Sequence, residues 1–229
     1  MPNIFNDGDK EMSFKNLNTY ERMVKEGEEQ SFHSRYERAV ERFVQSLETR
    51  TSYESMIDGK AVATGDHFVD TSPIDTDLVV GEFSLGGKNE ASQAISAARR
   101  AFQAWSVMDL DKRLSIFRKA AEIMRREIFE IAAAVTVDNG KNRYEAVGEV
   151  DEAVDFISYY AERMEARNGF REETSPAYED EMPVSTMRPY GVWAVICPFN
   201  FPIAISTGML TAAIITGNAA VVKPSTPAP

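Results

Sequence analysis

Hydrophobic and polar positions change rhythm several times along this chain, and each change predicts an element. Residues 1–33 are polar and charged with little periodicity, which predicts an arm or partly ordered lead-in. From Tyr36 onward, Tyr36, Ala39, Val40, Phe43, Val44 and Leu47 recur at helical spacing and predict one amphipathic helix. Met56-Ile57-Asp58-Gly59-Lys60 places a turn pair between short apolar runs and reads as a hairpin. Two more short strands are expected between Phe68 and Phe83, around Ser72-Pro73. Three helices follow. The first, about Glu90 to Trp105, should bury Ala94, Ala98, Ala101 and Phe102. The second runs from about Asp111 to Val137, with Leu114, Phe117, Ala121, Met124, Ile128, Ile131 and Val135 on one stripe, and Asp138-Asn139-Gly140 ends it. The third carries Val147, Val150, Val154, Ile157, Ala161 and Met164. These stripes are core material.

From Asn168 to Met187 the pattern turns Gly-, Pro- and charge-rich, with short alternations around Tyr178 and Val184, as in a surface hairpin. The stretch Pro189 to Pro229 reads as strand, tight loop, buried helix, strand. Val192–Ile196 is a short run rich in Val, Ile and Trp bounded by Pro189, Gly191 and Pro198. Pro202 suits the first turn of a helix, Ile203–Thr216 is apolar nearly all round, and Gly217-Asn218 ends it. Ala219–Lys223 then resumes as a strand stopped by Pro224. Parallel strands joined by a helix form a right-handed crossover with both C-terminal ends on one edge, about 4.8 Å apart. The loops Cys197-Pro198-Phe199-Asn200 and Lys223-Pro224-Ser225 should therefore face one crevice, where open α/β sheets bind ligands.

Composition narrows the function classes. The chain has 229 residues, a formal net charge of −11 and a pI near 4.8, which argues against nucleic-acid partners and anionic membrane surfaces. One cysteine excludes an internal disulfide and suits a reducing compartment. With only two histidines beside it, His33 and His67, no zinc-ligand cluster is visible and no metal is expected. Ala204–Val222 is long and uncharged, but Gly208, Gly217, Asn218 and flanking prolines favour a buried helix and strand over a membrane span. No secretory leader is apparent in the first residues, so a cytoplasmic location is expected.

PFNFP followed, after an apolar helix, by GNAAVVKPS resembles the aldehyde dehydrogenase superfamily, whose pattern is Pro-Trp-Asn-Phe-Pro and then Gly-Asn-(apolar)-Lys-Pro-Ser. NGKNRYEAVGEVDEAVDFISYYAERM and FPIAISTGM are more similar to its L-glutamate γ-semialdehyde (Δ1-pyrroline-5-carboxylate) dehydrogenase branch. The resemblance spans Met56 to the end of the chain. It implies an α/β fold, the N-terminal part of a cofactor domain with helices packed on a parallel sheet begun by the strand–helix–strand unit. It divides the chain into an arm and helix (1–50), a first cofactor-domain part (51–168), a protruding antiparallel hairpin (169–187) and the strand–helix–strand unit (188–229). The strands within 56–83 correspond to a small sheet flanking the cofactor domain. The hairpin corresponds to an arm that pairs subunits, so a homo-oligomer is implied.

The resemblance also implies site roles. Asn200 matches the asparagine whose amide donates to the oxyanion of a tetrahedral intermediate, although a turn or cap asparagine is the plainer reading. Lys223 matches the lysine on the adenosine ribose of NAD(P), with Ser225 near the same ribose; it closes a buried strand, where an unpaired ammonium is costly, although a lysine simply emerging into solvent is the plainer reading. Thr226 stands where many members have a glutamate that repels a 2′-phosphate, so NADP is expected to be accepted beside NAD. Ile196, Cys197, Pro198 and Phe199 should meet the cofactor through backbone and ring contacts; Phe199, in place of tryptophan, keeps the ring and loses an N–H donor. Phe201 is expected to line the aldehyde path, or simply to pack in the core. Glu152 matches a position near the substrate amino group, although a solvated helix face is the plainer reading for it too. Its neighbours Glu149, Asp151 and Asp155 are expected mostly to form a solvated helix face.

Cys197 is the sole cysteine, yet no histidine or basic group adjoins it in sequence to lower its pKa, and it reads as a small buried hydrophobe rather than a nucleophile. No GxGxxG or P-loop pattern occurs. In the family the nucleophilic cysteine, the glutamate base and the Gly-rich cofactor turn lie beyond the Lys-Pro-Ser strand. The chain thus resembles somewhat less than half of a complete member. Poor solubility and no turnover are expected of it alone. Three functions stay open: part of a split or longer dehydrogenase with a complementing C-terminal half, a non-catalytic nucleotide binder, and a subunit-pairing module.

Overall fold

The computed structural model of the chain describes residues 15–49 and 52–229. The first helices depart from the expectation of a polar arm, of which residues 1–14 lie outside the described residues. Asn18 accepts a hydrogen bond from the Glu21 N–H and starts α1 (Thr19–Lys25); α2 (Glu29–Leu47) begins one full turn and more before Tyr36. The reason is burial: Met23 and Phe32 are fully enclosed, but Gly27, in a left-handed turn at φ 77°, separates them and breaks the period.

The small-sheet region follows the sequence closely. Strand β1 (Ser52–Tyr53) pairs in parallel with β5 (Val79–Leu85), and β4 (Asp66–Thr71) pairs antiparallel with β5. Between them β2 (Ser55–Ile57) and β3 (Lys60–Val62) form the hairpin, with Asp58 and Gly59 both at positive φ as a two-residue primed turn requires. Helix α3 (Lys88–Trp105) buries Ala97 and Ala98; of the other expected positions Ala94 and Phe102 are half-buried and Ala101 is exposed.

The expected single helix 111–137 is two. Helix α4 (Leu110–Arg126) ends at Glu127, whose backbone leaves the helical region, and α5 (Ile128–Asn139) follows directly. Their faces explain the break. Helix α4 offers one stripe, Leu114, Phe117 and Ala121, to α6 (Arg143–Ala166), whereas α5 is apolar all round and packs between α2 and α6. One straight axis cannot serve both neighbours. All six predicted stripe residues of α6, from Val147 to Met164, are buried.

After α6 the hairpin β6 (Arg171–Glu173) and β7 (Val184–Thr186) stands out with every strand residue exposed. The closing unit is β8 (Val192–Ile196), α7 (Ala204–Ile215) and β9 (Ala219–Lys223), with β8 and β9 parallel. Among the described residues no helix is long and apolar enough to cross a membrane, and Ala204–Val222 resolves into a helix and a strand. Packing of α7 on α6 joins Ile215 to Val154 and Ile157 in one core, while α1, α2, α5 and the start of α6 form the other main one.

Candidate functional site

Register decides where the two motif loops go. Val192 lies opposite Ala219 and Ile196 opposite Lys223, so both strands end level, and the Cys197 N–H donates to the Lys223 carbonyl at 3.0 Å. The loops Cys197–Asn200 and Lys223–Thr226 thus leave the sheet side by side on one edge, as the crossover predicts. Asn218 fixes the opposite end. Its buried side chain accepts from the Gly191 N–H at 2.9 Å and donates to the Ala213 carbonyl and the Thr216 hydroxyl at 3.1 and 3.0 Å.

The edge itself is open. Ile196 is 61% and Phe199 58% exposed, and Pro198 and Ser225 are half-buried beside exposed Asn200 and Thr226. Lys223 is exposed too, its ammonium donating to the Pro224 carbonyl at 2.6 Å. The expected cost of a buried ammonium therefore does not operate, because the strand already emerges into solvent at Val222. Cys197 is buried, with its sulfur 4.0 Å from the Val195 carbonyl, in keeping with a packing role. Among the described residues the Asn200 amide has no hydrogen-bond partner.

The turn around Asn200 is held from the α5–α6 junction by three side chains whose part the sequence did not reveal. Asn139 donates its amide N–H to the Phe199 carbonyl at 2.7 Å. Lys141 sits 3.6 Å above the Phe201 ring centroid and 2.5 Å from Glu149 Oε2. Glu149 Oε1 accepts from the Ile203 and Ala204 N–H groups, at 2.8 and 3.2 Å, and so caps α7 from another helix. Glu149 is 2% exposed. The acidic face of α6 is thus not the solvated surface expected. Asp151 is also buried and accepts from the Thr19 backbone and hydroxyl, each at 2.8 Å, and half-buried Asp155 accepts from the Leu17 N–H. Only Glu152 is exposed. Residue type alone signalled charge; the partners that draw these carboxylates inward lie over a hundred positions upstream for Asp151 and Asp155, and some fifty downstream for Glu149.

Burial changes the acidity of this frame. Asp155 is pushed up to about 6, first by burial and further by the neighbouring Asp151 charge, with the Leu17 N–H opposing. Asp138, at the end of α5, is raised to about 7 by burial and by the hydrogen bond and charge of Asp70 on β4. Among the described residues no three His, Cys, Asp or Glu side chains gather as a metal would require.

Two level parallel strands with a shared open edge, backed by helices, define an α/β sheet protein of the ligand-at-the-strand-ends class. The model of the aldehyde dehydrogenase family matches residues 61–229, and the chain belongs to that family. A 1-pyrroline-5-carboxylate dehydrogenase of Bacillus pumilus is 36% identical over 194 residues, which covers 85% of this chain and 37% of the relative. A 1-pyrroline-5-carboxylate dehydrogenase 1 of Halalkalibacterium halodurans is 37% identical over 77% of this chain and 34% of its own length. Among solved structures, the R100A mutant of Thermus thermophilus 1-pyrroline-5-carboxylate dehydrogenase matches with a TM-score of 0.84 at 33% identity, over 95% of this chain and 40% of that one. A Thermus 1-pyrroline-5-carboxylate dehydrogenase with bound NAD matches with a TM-score of 0.80. The chain spans little more than a third of the length of the curated relatives it matches.

Proposed function

We propose that the chain supplies the cofactor-side edge of an NAD(P)-dependent dehydrogenase that oxidises an aldehyde to a carboxylic acid, glutamate γ-semialdehyde to glutamate. The observation that carries this reading is the level register of β8 and β9, which sets the Asn200 loop beside the Lys223 loop. Likeness to dehydrogenases of that name, one with NAD bound, supports the substrate and the cofactor.

The edge fits a dinucleotide. Ile196, Pro198 and Phe199 offer a partly apolar wall with the enclosed Cys197 packed behind them, and Lys223 uses one of its three ammonium donors on Pro224, leaving two for ribose hydroxyls with Ser225 near. Thr226 brings no negative charge to that position, so a 2′-phosphate is tolerated and NADP binds beside NAD. NAD, when bound, supplies the hydride acceptor. Asn200 donates its amide N–H to the oxygen that gains charge as a nucleophile adds to the aldehyde, and Phe201 borders the aldehyde path. Glu152, exposed on α6, faces the substrate ammonium. The thiolate and the base that complete the oxidation come in this reading from a C-terminal part outside these residues, Cys197 being enclosed. The exposed hairpin, with Tyr178, Met182 and Met187 standing free, pairs subunits in a homo-oligomer, and a cytoplasmic location goes with the whole.

Titration with NAD and NADP by calorimetry tests the reading. Saturable binding of both, weakened at least about tenfold in Lys223→Met, is expected from the loss of charged hydrogen bonds. Absence of saturable binding up to millimolar cofactor sinks the assignment of this edge, and exclusive binding of NAD removes the role given to Thr226.

A further inference from the structure

The turn Phe199–Ala204 contains Pro202, which has no N–H, and leads into a helix whose own first residues provide no side-chain cap. What holds it comes from elsewhere. Glu149 divides its two oxygens, one to the Ile203 and Ala204 N–H groups and one to Lys141, and the same Lys141 covers the ring of Phe201. The pair therefore grips the chain on the C-terminal side of Asn200 at a ring and at two consecutive amides, while Asn139 holds the Phe199 carbonyl on the other side. Charge matters to this grip. A carboxylate accepts N–H bonds roughly twice as strongly as a neutral oxygen does, and enclosed as it is, it needs the ammonium beside it.

We propose that Lys141 and Glu149 are positioning residues that act as one ionic unit to set the direction of the Asn200 amide. The proposal rests on the reading of Asn200 as the oxyanion donor. Neither residue touches the reacting atoms. Each acts through the backbone and ring that flank the asparagine, so the unit links α6, whose exposed Glu152 faces the substrate in that same reading, to the turn that presents the amide.

Amide hydrogen exchange and the side-chain amide resonances of Asn200, measured by NMR on the full chain labelled with nitrogen-15, test this. In the wild type the Ile203 and Ala204 amides should exchange slowly for a first helical turn. Glu149→Gln should cost them at least about tenfold in protection and move the Asn200 side-chain signals. Lys141→Met should move the same signals, and Lys141→Arg, which keeps charge and ring contact, should restore them; a bulk stability effect would not follow that order. Unchanged Asn200 signals in folded Glu149→Gln and Lys141→Met overturn the proposal. Where those variants do not fold, fast exchange at Ile203 and Ala204 in the wild type overturns it. Asn200→Ala separates the two ideas. If the exchange and resonance pattern holds but this variant leaves aldehyde turnover of the assembled dehydrogenase unchanged, the positioning stands and the oxyanion role falls.

Discussion

Replacing Asn218 by alanine removes a side chain that ties the start of β8, the end of α7 and the start of β9 together. Three hydrogen bonds go, at 2.9, 3.1 and 3.0 Å. The losses are unequal. The Ala213 carbonyl keeps bonds from the Asn218 backbone and the Thr216 hydroxyl, so it is not orphaned. The half-buried Gly191 N–H keeps no other partner among the described residues, and an orphaned donor costs about 1–3 kcal/mol, toward the low end where water reaches it. Adding about 0.5–1 kcal/mol for each remaining bond gives a loss of about 2–3 kcal/mol. Urea unfolding followed by circular dichroism reads this directly, as a midpoint lowered by about 1 M for an m-value of roughly 2–3 kcal/mol/M. Asn218→Asp is the sharper variant. It retains the acceptor for Gly191 but turns a carboxylate toward the Ala213 carbonyl at the negative end of α7, and should cost more than alanine at pH 7. Near pH 4 the protonated acid can donate to Ala213, and much of the loss should return. A change below about 0.5 kcal/mol in Asn218→Ala, or an aspartate no worse than alanine at neutral pH, would falsify the view that this side chain pins the strand register.

Two further outcomes follow from the same geometry. Gly140 caps α5 at φ 78°, and a Cβ there would meet the Pro73 ring at 3.2 Å; Gly140→Ala should destabilise by about 1–2 kcal/mol in urea melts, and a neutral result would show that the loop relaxes freely. Acidity should also be visible: the folded chain holds protons on Asp155 up to about pH 6 and on Asp138 up to about pH 7, whereas the unfolded chain releases them near 4. Their stabilising contributions are complete below pH 4 and are lost as pH rises through 6 to 7, so Asp138→Asn should flatten the upper part of a stability-against-pH curve and Asp155→Asn the lower; identical slopes in wild type and variants refute this.

What the sequence disclosed and what it hid divide along a physical line. The strand–helix–strand unit was legible to the residue in both strands, because its signals are local: apolar runs, Pro and Gly punctuation, an asparagine at a helix end. The Asp58-Gly59 hairpin was legible for the same reason. Helix α1 and the start of α2 were not, because Met23 and Phe32 join one core from two helices separated by the Gly27 turn and never form one stripe along the sequence. The break at Glu127 was hidden because it depends on which neighbours each half meets, with no Gly or Pro to mark it. The fate of the acidic helix was the furthest from reach. Glu149, Asp151, Glu152 and Asp155 look alike in sequence, and their partners, distant backbone N–H groups with the Thr19 hydroxyl and the Lys141 ammonium, decide which of them turn inward.

That last point bears on how the candidate site is built. Helix α6 carries a buried stripe from Val147 to Met164 that packs against α4, α5 and α7, and on the same helix Glu149, Asp151 and Asp155 reach two separate pieces of chain. Apolar burial alone would fix the helix as a body but leave loops and termini free to slide, since it has no direction. Carboxylates facing N–H groups supply the direction: Glu149 aims the turn that bears Asn200, and Asp151 and Asp155 hold the Leu17–Thr19 lead into α1. Each enclosed charge costs desolvation, visible in the raised pKa of Asp155, so such groups are poor stabilisers and good locators. A catalytic amide must lie within a few tenths of an ångström of its target oxygen, and a site of that kind needs locators more than it needs further stability. Replacing Glu149 and Lys141 together by apolar side chains of similar size should remove the desolvation cost of the pair but orphan the Ile203 and Ala204 N–H groups. Urea melts should then show a net loss of about 1–3 kcal/mol alongside release of the Asn200 turn, and an unchanged midpoint would count against the locating role.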